Sequence, residues 1–265
     1  MQVIEIGHRK LINADFFTTV DSIVAPETVD LVLTDAPYNI ADKGKVTKYQ
    51  GKIYSNKEAW GDAFKNHFTR EEYDEFITKF LVKSFTLLRP GGSLITFIDR
   101  RYAGCLADLA EKSGFLYKNM IVFVKKNCVP KIRSYNYASA TEFAVWFIRP
   151  ANVKSKTKPG IFNYNKPVKN LRHPDGRLDV EQYHNTYSSN VFFYNIGNKL
   201  FGHPTEKYSG QVIPLIETHS NPDSLILDPF GGSFAIGHYA ESLGRRYVGF
   251  EINTSMFNEY SARHK

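Results

Sequence analysis

Cysteine is scarce in this chain: Cys105 and Cys128 are the only two in 265 residues, and they lack the spacing of a metal knuckle or a redox pair. Their scarcity excludes a disulfide-stapled scaffold and fits a reducing, cytoplasmic setting. No HExxH pattern and no Cys/His cluster organises the eight histidines, so no metal is expected. No apolar run approaches the roughly eighteen residues of a membrane span, and no signal-peptide pattern opens the sequence, so no membrane partner is expected. Internal repeats are absent. An apolar content of 42% argues against overall disorder. The length suffices for one full core, alone or with one sizeable insertion. Net negative charge is lacking too: 34 Lys and Arg against 27 Asp and Glu leave +7, which favours a polyanionic partner.

The basic residues are clustered. Lys43, Lys45, Lys48, Lys52 and Lys57 crowd one polar stretch, Lys125, Lys126, Lys131 and Arg133 a second, and Lys154, Lys156 and Lys158 a third. Each group fits a phosphate-neutralising loop, and each alone also fits a solvated surface.

The most informative stretch is Asp35-Ala36-Pro37-Tyr38, which ends the apolar run Val29-Asp30-Leu31-Val32-Leu33-Thr34. A short β-branched and Leu-rich run reads as a buried strand of a parallel sheet. Ligands of open α/β sheets bind just beyond the carboxyl ends of such strands. A carboxylate, a proline turn and an aromatic ring placed there can hold a flat amino-bearing base. A plain Asp-Pro turn with a packed Tyr is the competing reading.

A second such strand comes almost two hundred residues later. Ser224-Leu225-Ile226-Leu227-Asp228 opens into Pro229-Phe230-Gly231-Gly232-Ser233-Phe234, then a helix at Ala235–Leu243 and a strand at Arg246–Glu251. Adjacent glycines let backbone approach a ligand closely. An acid closing the next strand suits ribose hydroxyls. For Glu251 a surface acid is the alternative.

Elsewhere the pattern predicts strands at Val3–Ile6, Leu94–Ile98, Phe115–Lys125 and Thr141–Ile148, the last two an antiparallel pair at the sheet edge. Helices are predicted at Phe16–Ile23, Arg70–Leu88 (stopped by Gly91-Gly92), Tyr102–Lys112 and Gln211–His219, with one more at the C-terminus. From Arg149 to Gly202 the chain turns polar, Asn/Lys/Tyr-rich and proline-punctuated, without periodicity.

These stretches together resemble the permuted β-group of S-adenosylmethionine-dependent DNA amino-methyltransferases, which act on adenine N6 or cytosine N4. His203-Pro204-Thr205-Glu206-Lys207, Leu88-Arg89-Pro90-Gly91-Gly92 and Asn13-Ala14-Asp15 are similar to further family segments. The resemblance implies a Rossmann-like α/β fold: a mostly parallel sheet with an antiparallel edge and circularly permuted motif order. Residues 1–148 and 203–265 would form the catalytic domain and 149–202 a target-recognition insertion. Asp35, Pro37 and Tyr38 would be catalytic. Asp15, Thr205, Lys207, Asp228, Phe230, Gly231, Gly232 and Glu251 would bind S-adenosylmethionine. Asp15 equally fits a helix N-cap ahead of Phe16, and Lys207 a solvated lysine.

The implied partners are double-stranded DNA, a homodimer mate and a companion restriction endonuclease. Asp35 favours adenine, because the cytosine relatives usually carry Ser there. Cytosine N4 transfer, a binding-only role, and an RNA or protein-glutamine substrate are the alternatives. Two positions depart from the family pattern: Ala36 replaces a proline and Phe234 a glycine. Phe234 either packs away from the cofactor or weakens its binding.

Overall fold

The computed structural model describes residues 1–38, 47–49, 52–54, 68–128, 137–151, 157–163, 189–264 and four positions between 175 and 180. Eleven strands are present in this part: β1 (Gln2–Ile6), β2 (Arg9–Asn13), β3 (Val29–Asp35), β4 (Thr47–Tyr49), β5 (Lys52–Tyr54), β6 (Leu88–Ile98), β7 (Leu116–Lys125), β8 (Thr141–Ile148), β9 (Val191–Tyr194), β10 (Leu225–Asp228) and β11 (Arg246–Glu251). Nine form one sheet in the order β1-β2-β11-β10-β3-β6-β8-β7-β9, while β4 and β5 pair apart. From β2 to β6 all neighbours are parallel. β1 runs antiparallel to β2, and β8 antiparallel to both β6 and β7.

The late strands β10 and β11 lie between the early strands β2 and β3. This is the physical content of the permuted order: both ends of the chain enter the middle of one sheet.

The side-chain period of two then divides the core. Val32 on β3 and Leu94 on β6 pack with Phe16, Ile77, Phe80 and Leu106 on one face. Leu31 and Leu33, together with Ile95, pack with Leu215, Ile216, Ala240 and Phe257 on the other. One layer thus holds α1 (Phe16–Thr19), α2 (Arg70–Leu87) and α3 (Ala103–Lys112); the second holds α4 (Ser209–His219), α5 (Ala235–Ser242) and α6 (Thr254–Ala262). Within the described residues no helix is long and apolar enough to cross a membrane.

Several expectations need correction. β2 was not foreseen; its Leu11 and Ile12 are fully buried although His8, Arg9 and Lys10 surround them with polar character. α1 closes after one turn and continues as a 3-10 turn at Val20–Ser22. Gly91-Gly92 does not stop α2. The helix starts on a capping box of Thr69 and Glu72 and ends at Leu87, where Leu88 turns straight into extended backbone. The glycines lie inside β6, and Gly91, at φ 83°, donates its N–H to the Arg149 carbonyl at 2.8 Å.

β7 and β8 pair antiparallel as expected but are not the edge. β9, from within the stretch 149–202, pairs parallel with β7 and forms the edge itself. That stretch therefore contributes a strand to the main sheet. Of the basic groups, residues 43, 45, 57, 131, 133, 154 and 156 lie outside the described residues, as do the side chains of 48 and 52.

Phe234 packs against the glycine turn from its buried side. Its side chain is fully buried beside Phe257, with ring centroids 5.9 Å apart. A Cβ on Gly231 would fall 2.5 Å from the Phe234 ring, so the ring takes the space that glycine leaves open. Its backbone adopts the left-handed conformation, φ 57°, normally left to glycine at a cost of about 1–2 kcal/mol to other residues. Burial of the ring outweighs that strain. Phe234→Ala should cost about 3–5 kcal/mol of unfolding free energy. Phe234→Gly should cost about 1 kcal/mol less, because glycine relieves the backbone. Urea unfolding of both variants checks the order; equal losses would remove the strain argument.

Candidate active site

The carboxyl ends of β3, β6, β10 and β11 and the amino end of β8 open on one side of the sheet. They border a cavity of about 1120 Å³. Asp35 closes β3 at its floor. The Tyr38 hydroxyl turns back to donate to Asp35 Oδ1, and Lys207 Nζ lies 3.1 Å from Oδ2. Lys207 also donates to Tyr38 Oη at 3.3 Å and sits 4.7 Å from the centre of the Phe97 ring. The Pro37 carbonyl accepts from Tyr73 on α2 at 3.2 Å, which fixes the turn after the strand. Ala36, in place of a proline, is buried.

Burial pushes the Asp35 carboxyl above its ordinary value, against the pull of Lys207 and the Tyr38 hydrogen bond. An ionised carboxylate offers about four acceptor sites. The two contacts made here leave room for a ligand N–H.

Lys207 does not face Asp35 alone. Glu142, the second residue of β8, places Oε2 at 3.5 Å from Nζ. Glu142 is itself fixed by Lys125 of β7 at 3.0 Å, by the Tyr194 hydroxyl of β9 at 3.0 Å and by the Gln211 amide of α4 at 3.0 Å. Burial pushes Glu142 up, but Lys207, Gln211 and Lys125 outweigh it and hold the carboxyl at about 2. Burial likewise lowers Lys207, yet Asp35 and Glu142 outweigh it and keep the ammonium above its ordinary value.

At the other end of the cavity Asp228 closes β10. Its Oδ1 accepts from Thr34 Oγ1 of β3 at 2.6 Å and from the Phe230 N–H at 3.2 Å; its Oδ2 accepts from Tyr247 of β11 at 3.0 Å. Burial nonetheless raises it to about 6. Gly231 donates to the Phe250 carbonyl at 2.6 Å, and Gly232 takes φ 53°. Glu251, closing β11, accepts from the Gly232 N–H at 3.1 Å and from the Asn253 N–H at 2.7 Å. Phe230 packs between Phe16, Phe17, Phe76 and Phe80 as an apolar wall. Asp15 is the N-cap of α1, accepting from Phe17 N at 2.8 Å, and it also borders the cavity. Thr205 contacts His203 Nδ1 at 3.3 Å.

All eleven site residues named from the sequence border this one cavity. Lys207 is buried rather than solvated and points at Asp35. Asp228 is spent on the fold's own hydrogen bonds. Glu142 and Tyr73 were missed. The available signal for Glu142 was a lone charge in the apolar strand Thr141–Ile148. Lys125, grouped with phosphate contacts, turns inward to Glu142. Chemically, one end can accept hydrogen bonds from an amino-bearing ring beside an aromatic face. The other can admit a nucleoside against bare backbone and a carboxylate.

A family model described as DNA methylase matches residues 29–262. Among curated proteins, the chain is 27% identical to the Type II methyltransferase M.HinfI of Haemophilus influenzae over 85% of its length. It spans 60% of the length of that relative. It is 26% identical to the Type II methyltransferase M2.DpnII of Streptococcus pneumoniae, over 91% of this chain and 84% of the other. Among solved structures, M1.HpyAVI in complex with SAM matches with TM-score 0.62 at 23% identity, covering 97% of this chain and all of the other. The cytosine-N4-specific PvuII DNA methyltransferase matches with TM-score 0.67 at 16% identity, covering 96% and 86%. These two likenesses show the fold.

Glu251 makes the site's stability depend on pH. Burial, against the N–H groups of Asn253 and Gly232, raises it to about 7. A raised folded value means that the native state binds the extra proton, so this contribution is full below about pH 4.5 and lost as pH rises through 7. The unfolding free energy of the ligand-free protein, relative to Glu251→Gln, should therefore fall by about 3 kcal/mol across that window. Paired denaturant titrations at several pH values measure this. A constant difference would show that Glu251 is not desolvated.

Proposed function

The chain belongs to the DNA methylase family of N6/N4 methyltransferases, and on that premise we propose that it transfers a methyl group from S-adenosylmethionine to the exocyclic N6 amine of an adenine turned out of double-stranded DNA. The observation that carries this reading is one cavity bordered both by Asp35, Pro37 and Tyr38 and by Gly231, Gly232 and Glu251. Residues from the two ends of the chain meet there.

The residues present fit the cofactor. Gly232 leaves backbone bare, Phe230 supplies an apolar wall, and Glu251 at the end of β11 suits ribose hydroxyls, while the space beside Gly231 is taken by Phe234. Asp15 and Thr205 border the same space. Asp228 serves by fixing the loop. S-adenosylmethionine, when bound, supplies an electrophilic methyl group.

The chain's own residues prepare the acceptor. An adenine amine is a weak nucleophile because its lone pair is delocalised into the ring. Asp35 accepts one amine proton, and a main-chain carbonyl of the turn, that of Ala36, accepts the other. Two such bonds favour a pyramidal nitrogen with a localised lone pair. Tyr38 offers a face on which the unstacked base regains part of the few kcal/mol lost on leaving the duplex. Asp35 then takes the proton released on transfer. Fixed acceptors and positioning supply most of the rate.

Asp35 supports adenine over cytosine. The region 149–202 is assigned to target recognition on resemblance. The relatives' designation as Type II methyltransferases supports a companion endonuclease.

Nucleoside mass spectrometry of DNA from a methylation-free bacterial host tests the reading. Expression of the full chain should give N6-methyladenine, and Asp35→Ala should lower it by about 10²-fold or more. N4-methylcytosine instead would reassign the base. Neither product, with folded protein present, would overturn the transferase reading.

A further inference from the structure

Asp35 is commonly considered with its own tetrapeptide, yet its strongest partner comes from elsewhere. Lys207 lies in the turn before α4, some 170 residues along the chain, and is buried against the Phe97 ring with its ammonium 3.1 Å from Asp35 Oδ2. A cation so placed competes with any ligand N–H for the carboxylate. If Asp35 were its only counter-ion, the acceptor would be largely consumed. Glu142 prevents this: it contacts the same ammonium at 3.5 Å and is immobilised by Lys125, Tyr194 and Gln211 from three separate elements. A side chain held by three partners does not follow the lysine; the lysine must divide itself between two carboxylates.

We infer that Glu142 is a positioning residue for Asp35, acting through Lys207 by drawing the ammonium partly away so that an edge of the Asp35 carboxylate stays open to the target amine. This rests on the proposed amine-methylating role of Asp35, but the arrangement itself does not. It also joins the reacting centre to β7, β9 and α4, so the strand that the polar stretch 149–202 contributes is linked to Asp35 through Tyr194 and Glu142.

Among the described residues, the groups that face Asp35 are Tyr38 from its own turn, Lys207 and Lys199 from the segment before α4, Glu142 from β8 and Asp228 from β10. Of these, Glu142 resists its ionisation, while Lys207 and the Tyr38 hydrogen bond favour it. Removing the Glu142 charge therefore has a defined sign. Lys207 closes on Asp35, the carboxyl ionises more readily, and its acceptor edge is covered. Removing the Lys207 charge has the opposite sign.

The test follows the Asp35 carboxyl directly, by carbon NMR of the full chain labelled at aspartate, with the signal identified by its absence in Asp35→Asn. Glu142→Gln should move the Asp35 titration to lower pH, and Lys207→Gln should move it to higher pH. Glu142→Asp keeps the charge but withdraws it by one methylene. It should give a smaller move in the same direction as Glu142→Gln, and it serves if the amide variant folds poorly. In turnover, Glu142→Gln should lower kcat by about tenfold or more while the KM for DNA stays within about twofold. The acid limb of its pH profile should shift down with the titration. A structural defect would lower activity without that shift.

An unmoved Asp35 titration in both Glu142 variants would overturn the inference. The titration needs no turnover, so a chain that methylated no DNA would sink the functional reading and still decide this one.

Discussion

A buried carboxylate holds the site edge together. Asp228, 1% exposed, accepts from Thr34 on β3 and from Tyr247 on β11 while sitting at the end of β10 between them. Three parallel strands are thereby pinned at the point where their carboxyl ends must align. The same oxygen that takes the Thr34 hydroxyl also takes the Phe230 N–H and so sets the start of the glycine turn. Burying such a group is costly unless each acceptor is satisfied, and here three donors satisfy it. Thr34 precedes Asp35, so the bond that anchors the glycine loop also fixes the strand end from which Asp35 projects. The two halves of the cavity are registered against each other through one side chain.

That registration matters because the cavity is rich in acid. Asp35, Glu142, Asp228 and Glu251 all border it. Each is stabilised differently: Asp35 by a tyrosine and a shared lysine, Glu142 by two lysines, an amide and a phenol, Asp228 by two hydroxyls and one backbone N–H, and Glu251 by backbone N–H groups of the glycine turn and of its own loop. Asp35 and Glu251 are the two whose partners a ligand can share or replace. Asp228 and Glu142 are saturated from within the fold, which makes them supports for neighbours. Burial raises the first two and Asp228 while the cations carry Glu142 the other way, so similar carboxylates in one cavity are set to unlike tasks.

How much of this was legible in the sequence depended on whether the signal was local. β3 and β10 could be read because strands buried on both faces are continuous apolar runs, and the residues that end them are fixed by those runs. The eleven candidate site residues could be named because the chain places them at strand ends or in short motifs beside them. β2 was not found, since its core positions Leu11 and Ile12 are adjacent and flanked by charge. Its place in the sheet comes from pairing with β11, more than two hundred residues away. β9 failed likewise: four residues in a polar stretch become a strand only because β7 offers an edge. Glu142 was missed for a related reason. Its meaning lies in Lys207, Lys125, Tyr194 and Gln211, none of them near it in sequence except through the sheet. Phe234 was seen as anomalous, but its direction is decided by the volume under Gly231 and the presence of Phe257.

Net charge shows the same limit from another side. A count of +7 favours a polyanion, but the charges are not equally available. Lys207 and Lys125 are committed to carboxylates inside the cavity, Arg9 to Glu241, and Arg149 to Glu27 and to two carbonyls at the junction of α2 and β6. Counterion release on binding a phosphate backbone scales with the cations that meet phosphates, not with composition. Withdrawing Lys125 from that set reduces the expected salt dependence of binding a polyanion. Charge near a site of this kind therefore has to be divided by what it touches: an ammonium held between two carboxylates, as Lys207 is, is not free to meet a phosphate.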